Sequence, residues 1–281
     1  MIAYWVVDGS STEQAKLWDS RTRKLIATLR DTTVRSIDGN DWERLKPLAF
    51  SPDGGRLAVG AGRDIILWEV ASHQRIAVLK GHSDLVNFLI FAPDGKTLAS
   101  GADDGRVKLW DVTSAEPREM TALSAGFRVN GLAFSLDGKT LAASGDGVPI
   151  KRWELSHPEV PVELLPLEAK DGHTGWVYAM AFSPRANLLI SAGAGGEVIA
   201  WDLASDPKKF SPRKLALPHS SIGIVSALAF TPDGETMLSA GSDNNITLSQ
   251  YRRRHFCPDQ RGRRRDGSWE NGRGGLGRLR Q

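Results

Sequence analysis

Residues 81–111 read GHSDLVNFLIFAPDGKTLASGADDGRVKLWD. Residues 86–91, VNFLIF, are almost wholly apolar, as a strand covered on both faces should be. Ala92-Pro93-Asp94-Gly95 places Pro and Gly where a type I or II turn wants them. Thr97 to Ser100 is a short second strand, closed by the Asp103-Asp104-Gly105 turn. Residues 106–110 alternate polar and apolar, the pattern of a half-buried strand. The stretch is one run of antiparallel meander.

The same run recurs. Phe-x-Pro/Leu-Asp-Gly blocks begin at Phe50, Phe91, Phe134 and Phe230, and Phe182 heads the variant FSPRAN. The Trp closing the third strand returns at Trp18, Trp68, Trp110, Trp153 and Trp201, at separations of 50, 42, 43 and 48 residues. A period in the forties with four short strands per unit is the mark of a β-propeller. Gly81-His82 and Gly172-His173, the SPDG-type turn, the Leu-Ala-Ser-Gly strand and the Leu-Trp-Asp ending resemble the WD40 family over residues 15–249. The expected fold is therefore all-β: a WD40-type propeller of about six blades, four complete and the first and last partial.

A length of 281 residues suits one large β domain, because each blade buries its faces only on its neighbours. The expected division is a propeller over residues 1–250 and a disordered, basic, low-complexity tail over 251–281. The tail holds ten Arg against three acidic residues, a net of +7, so a chain of net +3 leaves −4 on its first 250 residues. One cysteine, Cys257, excludes an internal disulfide framework. The start, MIAYWVV, lacks the basic leader of a secretory signal, and no stretch reaches the length of a membrane span. A cytoplasmic location without membrane contact is the expectation.

No innermost strand precedes Ile2, and Ser249 stands where the sixth Trp belongs, with no fourth strand expected after it. Members of the resembled family close their ring by pairing strands from the two ends. The expected outcomes are an open ring, closure through another chain, or a chain that is part of a longer protein. Three readings of the tail stay open: nucleic-acid or polyanion binding through Arg252, Arg253, Arg254, Arg263, Arg264 and Arg265; an inert extension; or a reading-frame shift at Ser249.

The resemblance implies a hydrogen-bonded framework of His82, Ser100, Asp104 and Trp110, in part repeated by His173, Ser191 and Trp201, with Trp18, Trp68 and Trp153 as the remaining blade tryptophans. The fifth unit has Gly195 at the Asp position, so the third unit is expected to be the most rigid. His, Ser and Asp are also the residue types of a hydrolase triad, but no nucleophile elbow accompanies them. The six His are too scattered to ligate a metal, and no phosphate-cradling loop is present, so no catalytic group, metal or cofactor is expected. The resemblance places partner binding on the rim where the His-bearing loops meet the second turns. There the candidates are Leu85, Asp103, Asp146, Trp176 and Ser242. The expected role is a scaffold or sensing platform for a protein or peptide partner, the role that bacterial-type family members suggest.

Overall fold

The computed structural model describes residues 2–7, 13–30, 47–146, 149–168, 172–173, 175–203, 212–215, 223–252 and 255–258. Their regular secondary structure is all strand, arranged in six antiparallel sheets that follow the chain. Sheet one has three strands, β1 (Ile2–Val7), β2 (Glu13–Trp18) and β3 (Leu25–Arg30). Sheet two is β4 (Leu48–Phe50), β5 (Arg56–Ala61), β6 (Asp64–Glu69) and β7 (Arg75–Leu79). Sheet three, built by the stretch quoted first, is β8 (Val86–Phe91), β9 (Thr97–Ala102), β10 (Arg106–Asp111) and β11 (Arg118–Ser124). Sheet four is β12 (Gly131–Phe134), β13 (Thr140–Ser144), β14 (Ile150–Glu154) and β15 (Val162–Leu167). Sheet five is β16 (Val177–Phe182), β17 (Leu188–Gly193), β18 (Val198–Asp202) and β19 (Arg213–Lys214). Sheet six is β20 (Val225–Phe230), β21 (Thr236–Gly241), β22 (Ile246–Arg252) and β23 (His255–Pro258).

The recurring turn explains the first hairpin of sheets two, four and six, and, without the hydroxyl, that of sheet three. Ser51, Ser135 and Thr231 each donate a hydroxyl hydrogen bond to the Asp two residues on, Asp53, Asp137 and Asp233. That Asp also accepts from the backbone N–H of Gly55, Lys139 or Glu235. The Gly of the block turns left-handed, with φ of 71°, 68°, 70° and 65° at Gly54, Gly95, Gly138 and Gly234. A side chain there would be strained, which is why Gly follows Asp in each block.

Each sheet is joined to the next by one kind of contact. In a sheet, the blade Trp and the residue one before it point to opposite faces. Leu109 and Val107 of β10 turn onward and pack with Leu132, Phe134, Leu141 and Trp153 of sheet four. Ile65 and Leu67 of β6 meet Leu89, Phe91, Leu98 and Trp110 of sheet three in the same way. Ala15 and Leu17 of β2 meet Leu57 and Trp68, and Ile150 of β14 meets Val177, Leu189 and Trp201. The acceptor tryptophans are nearly sealed, at 7% exposure for Trp68, 2% for Trp110, 2% for Trp153 and 3% for Trp201. The core is thus a series of five interfaces.

Two expectations are corrected at the far end. Replacing Trp by Ser249 does not end the third strand of sheet six: β22 runs on to Arg252, with Ser249 itself fully buried. A fourth strand does follow, β23, in register with β22 at Ser249↔Pro258, Gln250↔Cys257, Tyr251↔Phe256 and Arg252↔His255. Backbone pairing continues because a ladder needs only N–H and C=O groups, which any residue but Pro supplies. The strand-forming region therefore crosses the expected boundary at 250 and reaches Pro258, while residues 259–281 lie outside the described residues.

Truncating the onward face should be costly: Leu109→Ala is expected to lower unfolding free energy by about 2–5 kcal/mol in urea titration. Hydrogen exchange should be slowest in β9 and β10, buried on both faces, and faster in β21 and β22.

Candidate functional site

The framework in sheet three forms as the resemblance implies. Asp104 accepts from His82 Nδ1 at 2.9 Å and from the Ser83 and Arg106 backbone N–H groups. A carboxylate can only accept, so Nδ1 carries the proton. Nε2 then accepts from the Ser100 hydroxyl at 2.8 Å, and Ser100 Oγ accepts from Trp110 Nε1–H, also at 2.8 Å. The chain runs Trp110 to Ser100 to His82 to Asp104 with every buried group satisfied.

Burial pushes the His82 imidazole below its usual range and outweighs the opposing pull of Asp104, so the ring is neutral. Burial pushes the Asp104 carboxyl up, but the Ser83 N–H, His82 and the Arg106 N–H together hold it below its usual range. Ser100 is fully buried, with its hydroxyl proton committed to His82 and its oxygen to Trp110. An acylating serine needs an open approach. This set is a support.

In sheet five Ser191 repeats the centre, hydrogen-bonded to His173 Nε2 at 2.7 Å and accepting from Trp201 Nε1–H at 2.8 Å. Gly195 and Gly196 both turn left-handed, at φ of 81° and 70°, so this hairpin differs from the one bearing Asp104. Glu197 takes the acidic place from two residues further on, with Oε2 3.9 Å from His173 Nδ1 and Oε1 2.6 Å from Lys214 Nζ. The contact is too long for a hydrogen bond, and burial takes His173 down to about 4. Sheet four drops the motif further: Ser144 donates to the Val177 carbonyl at 3.2 Å, while Gly147, at the Asp position, lies outside the described residues.

The framework fixes the loops that form the rim. Asp103 N–H donates to Leu85 O, Ala194 N–H to Trp176 O and Ser242 N–H to Ile224 O, at 2.9, 2.8 and 2.8 Å. Leu85, Trp176 and Ile224 are therefore one position in the loops before sheets three, five and six, and Arg128 is its counterpart before sheet four. A Cβ on Gly145, Gly193 or Gly241 would lie 2.1, 1.9 or 2.2 Å from the carbonyl of Arg128, Trp176 or Ile224. Only glycine lets the loop approach so closely.

The five expected rim residues divide. Trp176 is exposed at 45%, edge-on to Tyr178 with ring centroids 5.9 Å apart. Ser242 is exposed, and its hydroxyl accepts from Ile224 N–H at 2.8 Å. Leu85 is half-buried and offers little surface. Asp103 is drawn inward, 5% exposed, against Arg128 at 2.9 Å and the Asn87 amide. Asp146 accepts from the Asn130 amide at 3.1 Å; burial, then the Asp146 charge, raise the Tyr178 phenol. Ile224, 40% exposed, and Arg128 were not among the expected residues. The offset that paired Leu85 with Trp176, one residue before the innermost strand, finds both. Ala194 links the two exposed members, bonding Trp176 O and bridging to Ile224.

On the opposite side, a cavity of about 470 Å³ between sheets three and four is lined by Asp94, Phe134, Asp137, Lys139, Leu155 and His157, among others. Among the described residues no three His, Cys, Asp or Glu converge as metal ligands. Arg253, Arg254, Arg263, Arg264 and Arg265 lie outside the described residues, and Arg252 contributes backbone to β22.

The sequence comparisons agree with this architecture. The WD domain, G-beta repeat family matches residues 73–111, 166–202 and 213–248. Those three segments are similar to WD40 repeats. Similar proteins include the intraflagellar transport protein 122 homolog of Danio rerio, 43% identical over 63 residues, which are 22% of this chain and 5% of that protein. The nuclear distribution protein PAC1 of Arthroderma otae is 33% identical over 121 residues, 41% of this chain and 25% of that protein. The WD repeat and SOCS box-containing protein 1 of Xenopus tropicalis is 35% identical over 107 residues, 37% of this chain and 23% of that protein. The chain thus spans a quarter or less of each of these relatives. All three are eukaryotic, so the bacterial-type resemblance draws nothing from them. Proteins built from such repeats act broadly as scaffolds for protein interactions.

Removing the central hydroxyl should strand two buried groups at once. Ser100→Ala is expected to cost roughly 2–4 kcal/mol, against about 1 kcal/mol for Ser144→Ala, by chemical denaturation. The depressed His173 sets a pH dependence. The unfolded imidazole binds a proton near its ordinary value of 6.5 and the folded one only near 4, so stability is full above 6.5 and falls as pH drops towards 4. The loss is on the order of 3 kcal/mol. Melting curves between pH 7 and 4.5 should show a slope that His173→Gln flattens.

Proposed function

We propose that the chain is a non-catalytic platform that binds a protein or peptide partner on the rim carrying Trp176 and Ile224. The observation that carries this reading is the exposed Trp176, held by Tyr178 and by a backbone bond to Ala194. Large aromatic side chains fixed on a polar rim are typical anchors for a partner, because they bury much area at little entropic cost. Ile224 extends the apolar surface next to it, and Ser242, Asp146 and the Arg128–Asp103 pair supply the polar surround. The mildly acidic balance of the first 250 residues favours a partner of opposite charge. A cytoplasmic setting is part of the same proposal.

The test is selection of displayed peptides on the whole protein, followed by affinity measurements on variants. Trp176→Ala and Ile224→Asp are expected to weaken selected binders by about tenfold or more. Lys139→Ala, on the opposite side, should leave them unchanged. Binders indifferent to both rim variants would place the interaction elsewhere.

A further inference from the structure

Among the described residues, no sheet packs on the onward face of sheet six. In sheet five, the cross-strand rows Ala179–Ala192–Val198 and Ala181–Ile190–Ala200 form the onward face. Sheet six covers it: Ile190, Ala192, Val198 and Ala200 pack with Val225 and Met237 and are 0%, 0%, 1% and 7% exposed. The pairings of sheet six reproduce those rows one for one as Ala227–Ala240–Ile246 and Ala229–Leu238–Leu248. Here Ile246 is 70% exposed and Leu248 45%, and Ala227 and Ala229 are exposed as well. Four of these six apolar side chains lie open and the other two, Leu238 and Ala240, are half-buried, with no charge among them, a surface that soluble proteins ordinarily cover.

The covering group is the same at all five interfaces: a sheet whose third strand offers Trp, or Ser249 in sheet six. Among the described residues, one such face has no sheet packed against it, that of sheet one. There Trp18 pairs with position 2 as Trp68 pairs with Leu57, and Trp18 is half-buried where its four counterparts are sealed. The two unmatched faces sit at opposite ends of the series. They do not meet within the chain, since Ile246 would then be covered.

We propose that a second copy of the chain supplies the neighbour, its sheet one seating on sheet six so that the blade-on-blade succession continues from one copy into the next. The contact is head-to-tail, so it leaves one unmatched face on each end of a pair and can extend. It is separate from the rim carrying Trp176.

The experiment is sedimentation velocity on the full 281-residue chain over a wide range of concentration. The wild-type protein should associate, and Leu248→Lys, made at an exposed position that leaves the fold intact, should weaken association about tenfold or more. Trp18→Ala, with Lys16→Glu as a second substitution on the same sheet, should do likewise. Each variant keeps one good face, so mixing Leu248→Lys with either sheet-one variant should restore a complex of two chains that does not grow further. Three results would overturn the proposal: a monomer at every concentration, whether or not β22 is protected from exchange; association indifferent to Leu248→Lys; or a Trp18→Ala protein that still pairs with itself through sheet six.

Discussion

Burial of a Trp-bearing sheet face against the aliphatic face of the sheet before it is the interaction on which the molecule depends. A single sheet of four short strands is apolar on both sides and cannot shelter either alone. Stacking four such junctions in series, with a fifth in which Ser249 stands for the Trp, turns modest faces into a continuous core, and it explains why the two faces of each of these third strands are chosen differently. Trp110 looks back to Ile65 and Leu67, while Leu109 and Val107 look forward to Trp153. The strands are ordinary; the junction is specific.

The polar framework depends on that burial and in turn shapes the surface. Ser100 can satisfy both His82 and Trp110 because the junction excludes water that would compete. His82 then pins its loop through Asp104, and the same turn passes Asp103 N–H to the Leu85 carbonyl. Sheet five reaches a comparable loop position with less. Glu197 replaces the missing Asp at a longer distance and is shared with Lys214, yet the Trp176 loop is still tied to Ala194. Trp176 can therefore be both exposed and fixed.

The spacing of Trp18 to Trp201 and the SPDG blocks made the sheet architecture legible before any coordinates, because both mark backbone events: a junction and a left-handed glycine. The framework of sheet three was legible for the same reason. Glu197 was not, since it serves from outside the motif position and only the altered turn at Gly195 and Gly196 brings it near. Asp103 was expected at the surface, but its proximity to Arg128, distant by 25 positions in the chain, turns it inward. The fourth strand after Ser249 was hidden because HFCP is only four residues long and follows the Arg252 to Arg254 run, and pairing in register needs no apolar pattern when backbone groups suffice.

Four of the five junctions use the same two surfaces, so the sheets that carry the Trp are not chemically bound to their place in the series. The junction between sheets two and three could accept sheet five as readily as sheet three, because Trp201 and Leu189 repeat Trp110 and Leu98. A gene that gained or lost one repeat would therefore keep every remaining joint intact. The number of sheets is a variable that duplication can alter without redesigning the core, and differences between repeats, such as the rim positions, are free to diverge while the joints stay alike.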